Sequence, residues 1–248
     1  MLDVLLSPGA LTTRFHPIVR ERDGAMSVFA FECLTRGPAG TNFEQADVLF
    51  EYGRRKSAEV ALDRACVSQA VATATAIGKH DLALNVHAST LSRDSGFARD
   101  LAQLAKSYGF TPEQIIVEIV EHLPVLNRRD FAASLASLRA LGFRIALDDV
   151  GLGYSNFQMM IEAAPDYLKI DRAFIHGADH VNSRAAVIES ILAFANRVGA
   201  HVVAEGVEDA ADRTYLMSLG IELLQGYHYA HPLTAEQAGT FRPMISAA

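Results

Sequence analysis

The chain has 248 residues, half of them apolar, and 22 Lys and Arg against 29 Asp and Glu give a formal net charge of −7. That balance argues against a general nucleic-acid groove, and no run approaches the ~18 uninterrupted apolar residues of a membrane span. Two cysteines, Cys33 and Cys66, fit no zinc or redox spacing, and Met1 to Leu11 lacks the basic region and cleavage pattern of a secretion signal, so a cytoplasmic protein is expected.

Phe15 to Arg20 reads as a strand, Asp23-Gly24 as a turn, and Ala25 to Leu34 as the returning strand of an antiparallel hairpin. Cys33 alternates with Glu32 on that strand and is expected to point into packing as a small hydrophobe. Phe43 to Ile77 is helix-rich, with Val60, Leu62, Ala65, Cys66, Val67 and Ala70 at helical spacing, and Arg54-Arg55-Lys56 reads as a solvated helix face. Strands near 82–88, 115–121, 144–150, 167–171, 201–207 and 221–227 then alternate with helices near 97–109, 128–142, 155–163, 183–199, 209–219 and 234–240. Gly142, Gly199 and Gly220 each close a helical pattern where a left-handed cap is expected. Asp209 or Glu208 is placed to cap the helix after Val207, and Met159 and Met160 read as packing. We expect one domain over 1–248, folded as a TIM-like α/β barrel. The rival, an open doubly wound sheet, calls for a glycine-rich turn after the first strand, and Asp23-Gly24 stands there instead.

The apolar runs share one peculiarity: each ends on an acid, an amide or a lysine. Glu32, Asn85, Glu118, Asp148 with Asp149, Lys169, Glu205 and Gln225 stand at these ends. A charge at the end of a buried strand must be paired or bound to metal, and its recurrence points to one polar site at the mouth of a parallel barrel. Five carboxylates in a small space do not all stay ionised unless cations sit among them. Oxygen donors without thiolates or clustered histidines favour Mg²⁺ or Mn²⁺, probed by Ca²⁺ as a competitor or inhibitor. Asp148 and Asp149 can serve two ions, an arrangement suited to in-line attack on a phosphate ester, with Lys169 positioning the water. The same set of groups also describes enolase-like proton abstraction.

These strand ends resemble those of EAL domains, which hydrolyse the bacterial second messenger cyclic di-GMP to linear pGpG. The similarity rests on Phe15-His16-Pro17-Ile18-Val19, Leu147-Asp148-Asp149-Val150-Gly151, Leu168-Lys169-Ile170-Asp171-Arg172, Val203-Ala204-Glu205-Gly206-Val207-Glu208, Gln225-Gly226-Tyr227 and His231-Pro232-Leu233, in that order and spacing. The motif-bearing core covers about 14–235. The resemblance implies a TIM-like (β/α)8 barrel with one antiparallel strand, and a cyclic-guanylate phosphodiesterase that lowers the messenger controlling biofilm and motility. It implies metal ligands at Glu32, Asn85, Glu118, Asp148 and Asp149, and catalytic roles for Lys169, Glu205 and Gln225. It places Arg36, His16, Leu34 and Asp171 on the substrate and Glu121 as anchor of the loop after the paired aspartates. It further implies a homodimer, and sensor or cyclase domains as common companions.

This chain departs from the family pattern in several places. The signature reads Glu32-Cys33-Leu34 where Ala is usual, and Val150 and Leu152 stand where Phe and Thr are usual. His16 replaces a usual Gln, His87 a usual Ser and His231 a usual Arg, and the plain expectation for each histidine is a surface or core-edge side chain. The altered loop keeps a second reading open, a catalytically silent cyclic di-GMP receptor or protein-interaction module of the same fold.

Overall fold

The computed structural model describes residues 2–7, 9–120, 127–152 and 157–244. β1 (Thr12–Arg22) and β2 (Ala25–Arg36) form the opening hairpin, with Phe15 opposite Cys33 and His16 opposite Glu32. Asp23 and Gly24, at φ +52° and +76°, make its turn, the left-handed pair that a two-residue hairpin with right-handed strand twist requires. β3 (Asp81–His87), β4 (Ile115–Val120), β5 (Arg144–Val150), β6 (Tyr167–Ile170), β7 (His201–Ala204) and β8 (Leu223–Leu224) follow in parallel. β8 pairs antiparallel with β1, through Val19 with Leu224 and Arg20 with Leu223, and so closes the barrel in the order β1 to β8. β1 is therefore the one strand running against the others.

The helix-rich segment after β2 divides into α2 (Ala46–Arg55) and α3 (Glu59–Ala74), after the short α1 (Leu2–Leu5). The crossovers carry α4 (Ala88–Arg93), α5 (Phe97–Ser107), α6 (Arg128–Ala140), α7 (Phe157–Ala163), α8 (Arg172–Ile175), α9 (Asn182–Val198) and α10 (Ala210–Ser218), and α11 (Ala235–Thr240) ends the fold. Gly142, Gly199 and Gly220 have φ of +96°, +79° and +81° as the capping pattern predicts. Asp209 accepts from the backbone N–H groups of Ala211 and Asp212. Met159 and Met160 are buried, and Arg54 and Arg55 pair with Glu51 on the outer face of α2. The short helices α4 and α8 carry no periodicity of their own and were not expected. The predicted strands at 201–207 and 221–227 shorten to β7 and β8, beyond which Gly206 packs against Arg172 and Gly226 against the Val207 backbone.

Strand pleating sorts the core into two layers. Outward-facing residues such as Leu82, Leu84, Val117, Ile145 and Leu168 pack under the helices, and Cys33 is buried in this layer. Inward, each strand contributes one residue to a closed plug: Ile18, Ala30, Ala83, Ile116, Ala146, Tyr167, Val203 and Leu223. Below it, Phe29 lies 5.5 Å from Tyr167, and the Arg20 guanidinium sits 4.6 Å over the Phe29 ring. The barrel is sealed at one end and open at the other.

Candidate active site

Moving two residues along each parallel strand from the plug reaches the next inward-facing position. Those positions are Glu32, Asn85, Glu118, Asp148, Lys169, Glu205 and Gln225. On β1 the step runs backward, from Ile18 to His16. Pleat geometry therefore lays one polar layer directly on the apolar plug, with one side chain from each strand or, for Glu205 and Gln225, from the residue just past its end.

Lys169 is its centre, 1% exposed. Its Nζ lies 2.6 Å from Glu205 Oε1, 3.0 Å from Glu118 Oε2, 3.1 Å from Asp148 Oδ1 and 3.7 Å from Glu32 Oε2. Asn85 donates to Glu32 Oε1 at 3.0 Å and Gln225 to Glu32 Oε2 at 2.7 Å. One ammonium thus faces four carboxylates. Burial alone would lower the Lys169 pKa, but Asp148, Glu118, Glu205 and Glu32 hold it well above its ordinary value. Burial opposes the charge on Glu32 too, yet Lys169 and the two amide donors keep its pKa below the usual carboxylate value. Glu118 has no such amides, and burial with three neighbouring carboxylates pushes it well up. Glu205 is raised to about 8 by burial, Asp148 and Glu32 against the pull of Lys169.

Asp148 and Asp149 are consecutive, so an unbroken strand would send them to opposite faces. The β5–β6 register shifts between Leu147 and Val150, and Asp149 takes a left-handed φ of +51°. This bulge turns both acids to the mouth. Oxygens of Asp148, Asp149 and Glu205 all lie within 4.8 Å of one another. Burial and then the charges of Asp148 and Asp171 raise Asp149 to about 6. Such a site carries more negative charge than Lys169 can offset, and its donors are carboxylate and amide oxygens, which fits hard divalent cations.

Two cavities of about 220 and 210 Å³ open on either side of this cluster, and Glu32, Leu34 and Asp148 line both. The first runs toward α2 and α3, past Asn85, Asp149, Arg36, Phe50, Cys66 and His87. The second runs toward β7 and β8, past His16, Asp171, Arg172, Glu205, Gln225 and Tyr227. Every expected site residue among those described thus falls in the cluster or on a cavity wall, and Glu121 lies outside the described residues. Three are occupied structurally as well. Arg36 donates to the Thr35 carbonyl, Asp171 caps α8 through the Ala173 N–H at 2.7 Å, and the His16 Nε2–H donates to the Ala230 carbonyl at 3.1 Å. Burial lowers the His16 pKa, against the pull of Glu32.

His87 and His16 are core-edge side chains on the cavity walls: His87 is 5% exposed and bonded to Asp63, and His16 is half-buried. Phe50, Arg172 and Tyr227 were not expected on the cavity walls, and nothing in strand periodicity marks them, since they lie on a helix or beyond a strand end. Val150 is buried under the helices, while Leu152 is 39% exposed.

The fold and site define a mixed-sense (β/α)8 barrel with an acidic, lysine-centred mouth. The chain belongs to the EAL domain family, whose model matches residues 1–232. It is 33% identical over 153 residues to the cyclic di-GMP phosphodiesterase RocR of Pseudomonas aeruginosa, a match covering 62% of this chain and 39% of RocR. A stand-alone EAL protein of Vibrio cholerae, solved with cyclic di-GMP bound, superposes with a TM-score of 0.80 at 28% identity, covering 91% of this chain and 93% of that one. BlrP1 of Klebsiella pneumoniae, solved with manganese and cyclic di-GMP, gives a TM-score of 0.80 at 27% identity over 92% of this chain and 57% of that one. Among the described residues no helix is long and apolar enough to cross a membrane.

Proposed function

We propose that this chain is a metal-dependent phosphodiesterase that opens cyclic di-GMP to linear pGpG. The observation that carries the reading is the convergence of Glu32, Glu118, Asp148 and Glu205 on Lys169 at the junction of two near-equal cavities. A ligand of two like halves, joined through phosphodiesters, suits that shape.

Glu32, Asn85, Glu118 and Asp148 would hold one Mg²⁺ or Mn²⁺ and Asp149 a second. Bound there, the ions acidify water and offset charge on the phosphate oxygens. The chain's own groups do the rest. Lys169, fixed by its carboxylates, orients the attacking water, and Glu205 beside it accepts the proton. The water oxygen bonds to phosphorus as the P–O3′ bond breaks, and the leaving 3′-oxygen takes up a proton from solvent, which gives a 5′-phosphate and a free 3′-hydroxyl on the linear product. Gln225 keeps Glu32 aligned through its 2.7 Å hydrogen bond, and Arg36 at the rim of the first cavity faces a substrate phosphate. The plug excludes water from below.

We propose further that a second copy of the chain docks on α7, where Phe157 and Ile161, one turn apart, are 61% and 69% exposed. A cytoplasmic setting and attached sensor or cyclase domains complete the reading, as does a single-domain organisation of the present chain.

The second reading, a silent receptor, draws on Val150 and Leu152 in the loop after the paired acids. Calorimetry and product analysis separate the two: a hydrolase binds cyclic di-GMP in Ca²⁺ and releases pGpG in Mn²⁺, whereas a receptor binds in both ions and releases nothing.

A further inference from the structure

Asn85 is the one uncharged member of the proposed ligand set. A carboxylate is drawn to a cation by its charge, whereas an amide oxygen offers only a dipole, so its worth as a ligand depends on where it is held. Its Nδ2–H goes to Glu32 Oε1 at 3.0 Å, which leaves Oδ1 as the ligating oxygen. The main chain that carries Asn85 is paired unequally. β4 follows β3 to its end, with Asn85 opposite Glu118 and His87 opposite Val120. On the other side the β2 register stops at Cys33 with Leu84, one residue short of Asn85.

α3 takes over where β2 leaves off. Asp63 is fully buried and accepts the His87 backbone N–H on Oδ2 at 3.0 Å and the His87 Nδ1–H on Oδ1 at 2.9 Å. One turn earlier on the same helix face, buried Glu59 accepts the Ser89 hydroxyl. Two acids of one helix thus grip the chain just beyond Asn85. Asp63 lines neither cavity, so its influence on the site passes through the main chain it holds.

We propose that Asp63 is a positioning residue for the first metal ion. By fixing the His87 main chain where β2 no longer pairs, it keeps Asn85 Oδ1 in the ligand set. The His87 ring, at a position where Ser is usual in the family, adds a second bond to this clamp, and the main-chain bond carries the effect. The inference rests on the metal-dependent reading and deepens it by naming what sets the affinity for the ion.

The test is calorimetric titration of the whole chain with Mn²⁺ alone, no nucleotide present, with steady-state kinetics on cyclic di-GMP alongside. The proteins are the wild type, Asp63→Ala, Asp63→Asn, His87→Ser, Asn85→Ala and the double variant of Asp63→Ala with Asn85→Ala. Loss of the clamp predicts an Mn²⁺ Kd about 10- to 100-fold higher in Asp63→Ala, with kcat recovering as Mn²⁺ is raised to saturation. Asparagine keeps an acceptor for the main chain without the charge, and His87→Ser keeps the main-chain N–H, so both should stay near the wild-type Kd. The double variant should lose no more than Asn85→Ala, because Asp63 acts through that residue. A wild-type Kd in Asp63→Ala, equal weakening by Asp63→Asn or His87→Ser, or losses that multiply in the double variant would overturn the inference and leave the metal reading intact. Should Asp63→Ala not fold, Asp63→Glu replaces it, since it keeps the charge and displaces the carboxylate; a weakened Kd supports the clamp and a wild-type Kd overturns it. A wild type that binds no Mn²⁺ overturns both readings. A wild type that binds Mn²⁺ without turnover refutes the hydrolase, while the Kd ratios still decide the clamp.

Discussion

Nζ of Lys169 lies 2.6 Å from Oε1 of Glu205, the shortest of the four ion pairs that the lysine makes among the described residues. The lysine is therefore a counter-ion, beside the water-positioning role proposed for it. Lys169→Met removes the cation that, among the described residues, these four acids share, and leaves buried charge uncompensated, a loss on the order of 3 kcal/mol. Thermal melts should show a lower Tm in chelator, largely restored by Mn²⁺, together with turnover reduced about 10- to 100-fold. Equal Tm values for variant and wild type in chelator would contradict the counter-ion role.

Glu205 and Asp149, raised to about 8 and about 6, give the metal-free protein a definite pH dependence. Both bind protons more tightly when folded than when unfolded. Their contribution to stability is fully present below the unfolded carboxylate range and is lost as pH rises through the folded values. In chelator, Tm should fall between pH 5 and pH 8.5. Mn²⁺ binding, which needs the deprotonated oxygens, should strengthen over the same window. His87, whose pKa burial lowers but Asp63 and Glu59 raise further, shifts stability in the same direction, so Glu205→Gln is the control. That variant should flatten the slope, and an unchanged slope would rule out Glu205 as a source.

The approach of Gly226 to Val207 makes Gly226→Ala a steric test of the β7–β8 crossing. Placing a methyl group 2.1 Å from a backbone oxygen forces the strands apart, at about 1–3 kcal/mol. Calorimetry should show a lower Tm, and kcat should fall because the adjacent Gln225 loses its alignment on Glu32. A variant with native Tm would show that the crossing relaxes freely.

Much of the candidate site was legible because strand pleating is a rule of two. An apolar run followed by Glu118 or Lys169 announces both the strand and the inward end of it. His16 escaped that rule because β1 runs in reverse, so its polar residue precedes the apolar pair Pro17-Ile18 instead of following it. The turn of both Asp148 and Asp149 to one site depends on a bulge, which no alternation pattern displays. Asp63, Phe50 and Tyr227 lie on helices or beyond strand ends, and only packing brings them to the cavities. The hairpin, by contrast, was legible from Asp23-Gly24 alone, because few dipeptides accept two successive left-handed residues.

Phe157 and Ile161 give the proposed dimer a direct check. Ile161→Asp puts a charge in the centre of an apolar contact while leaving the barrel core untouched, since Ile161 is 69% exposed. Sedimentation velocity should show a dimer for the wild type and a monomer for the variant at micromolar concentration. A wild-type monomer, or a variant that remains dimeric, would contradict docking through α7.

The measurement that reaches the central claim most directly is chromatography of cyclic di-GMP after incubation with the purified chain in Mn²⁺, in chelator, and with Glu32→Gln in Mn²⁺. The account predicts stoichiometric conversion to pGpG in the first sample and intact substrate in the other two. Persistence of cyclic di-GMP in the first sample, or equal conversion by Glu32→Gln, would show that the ring of acids around Lys169 is not a phosphodiesterase centre.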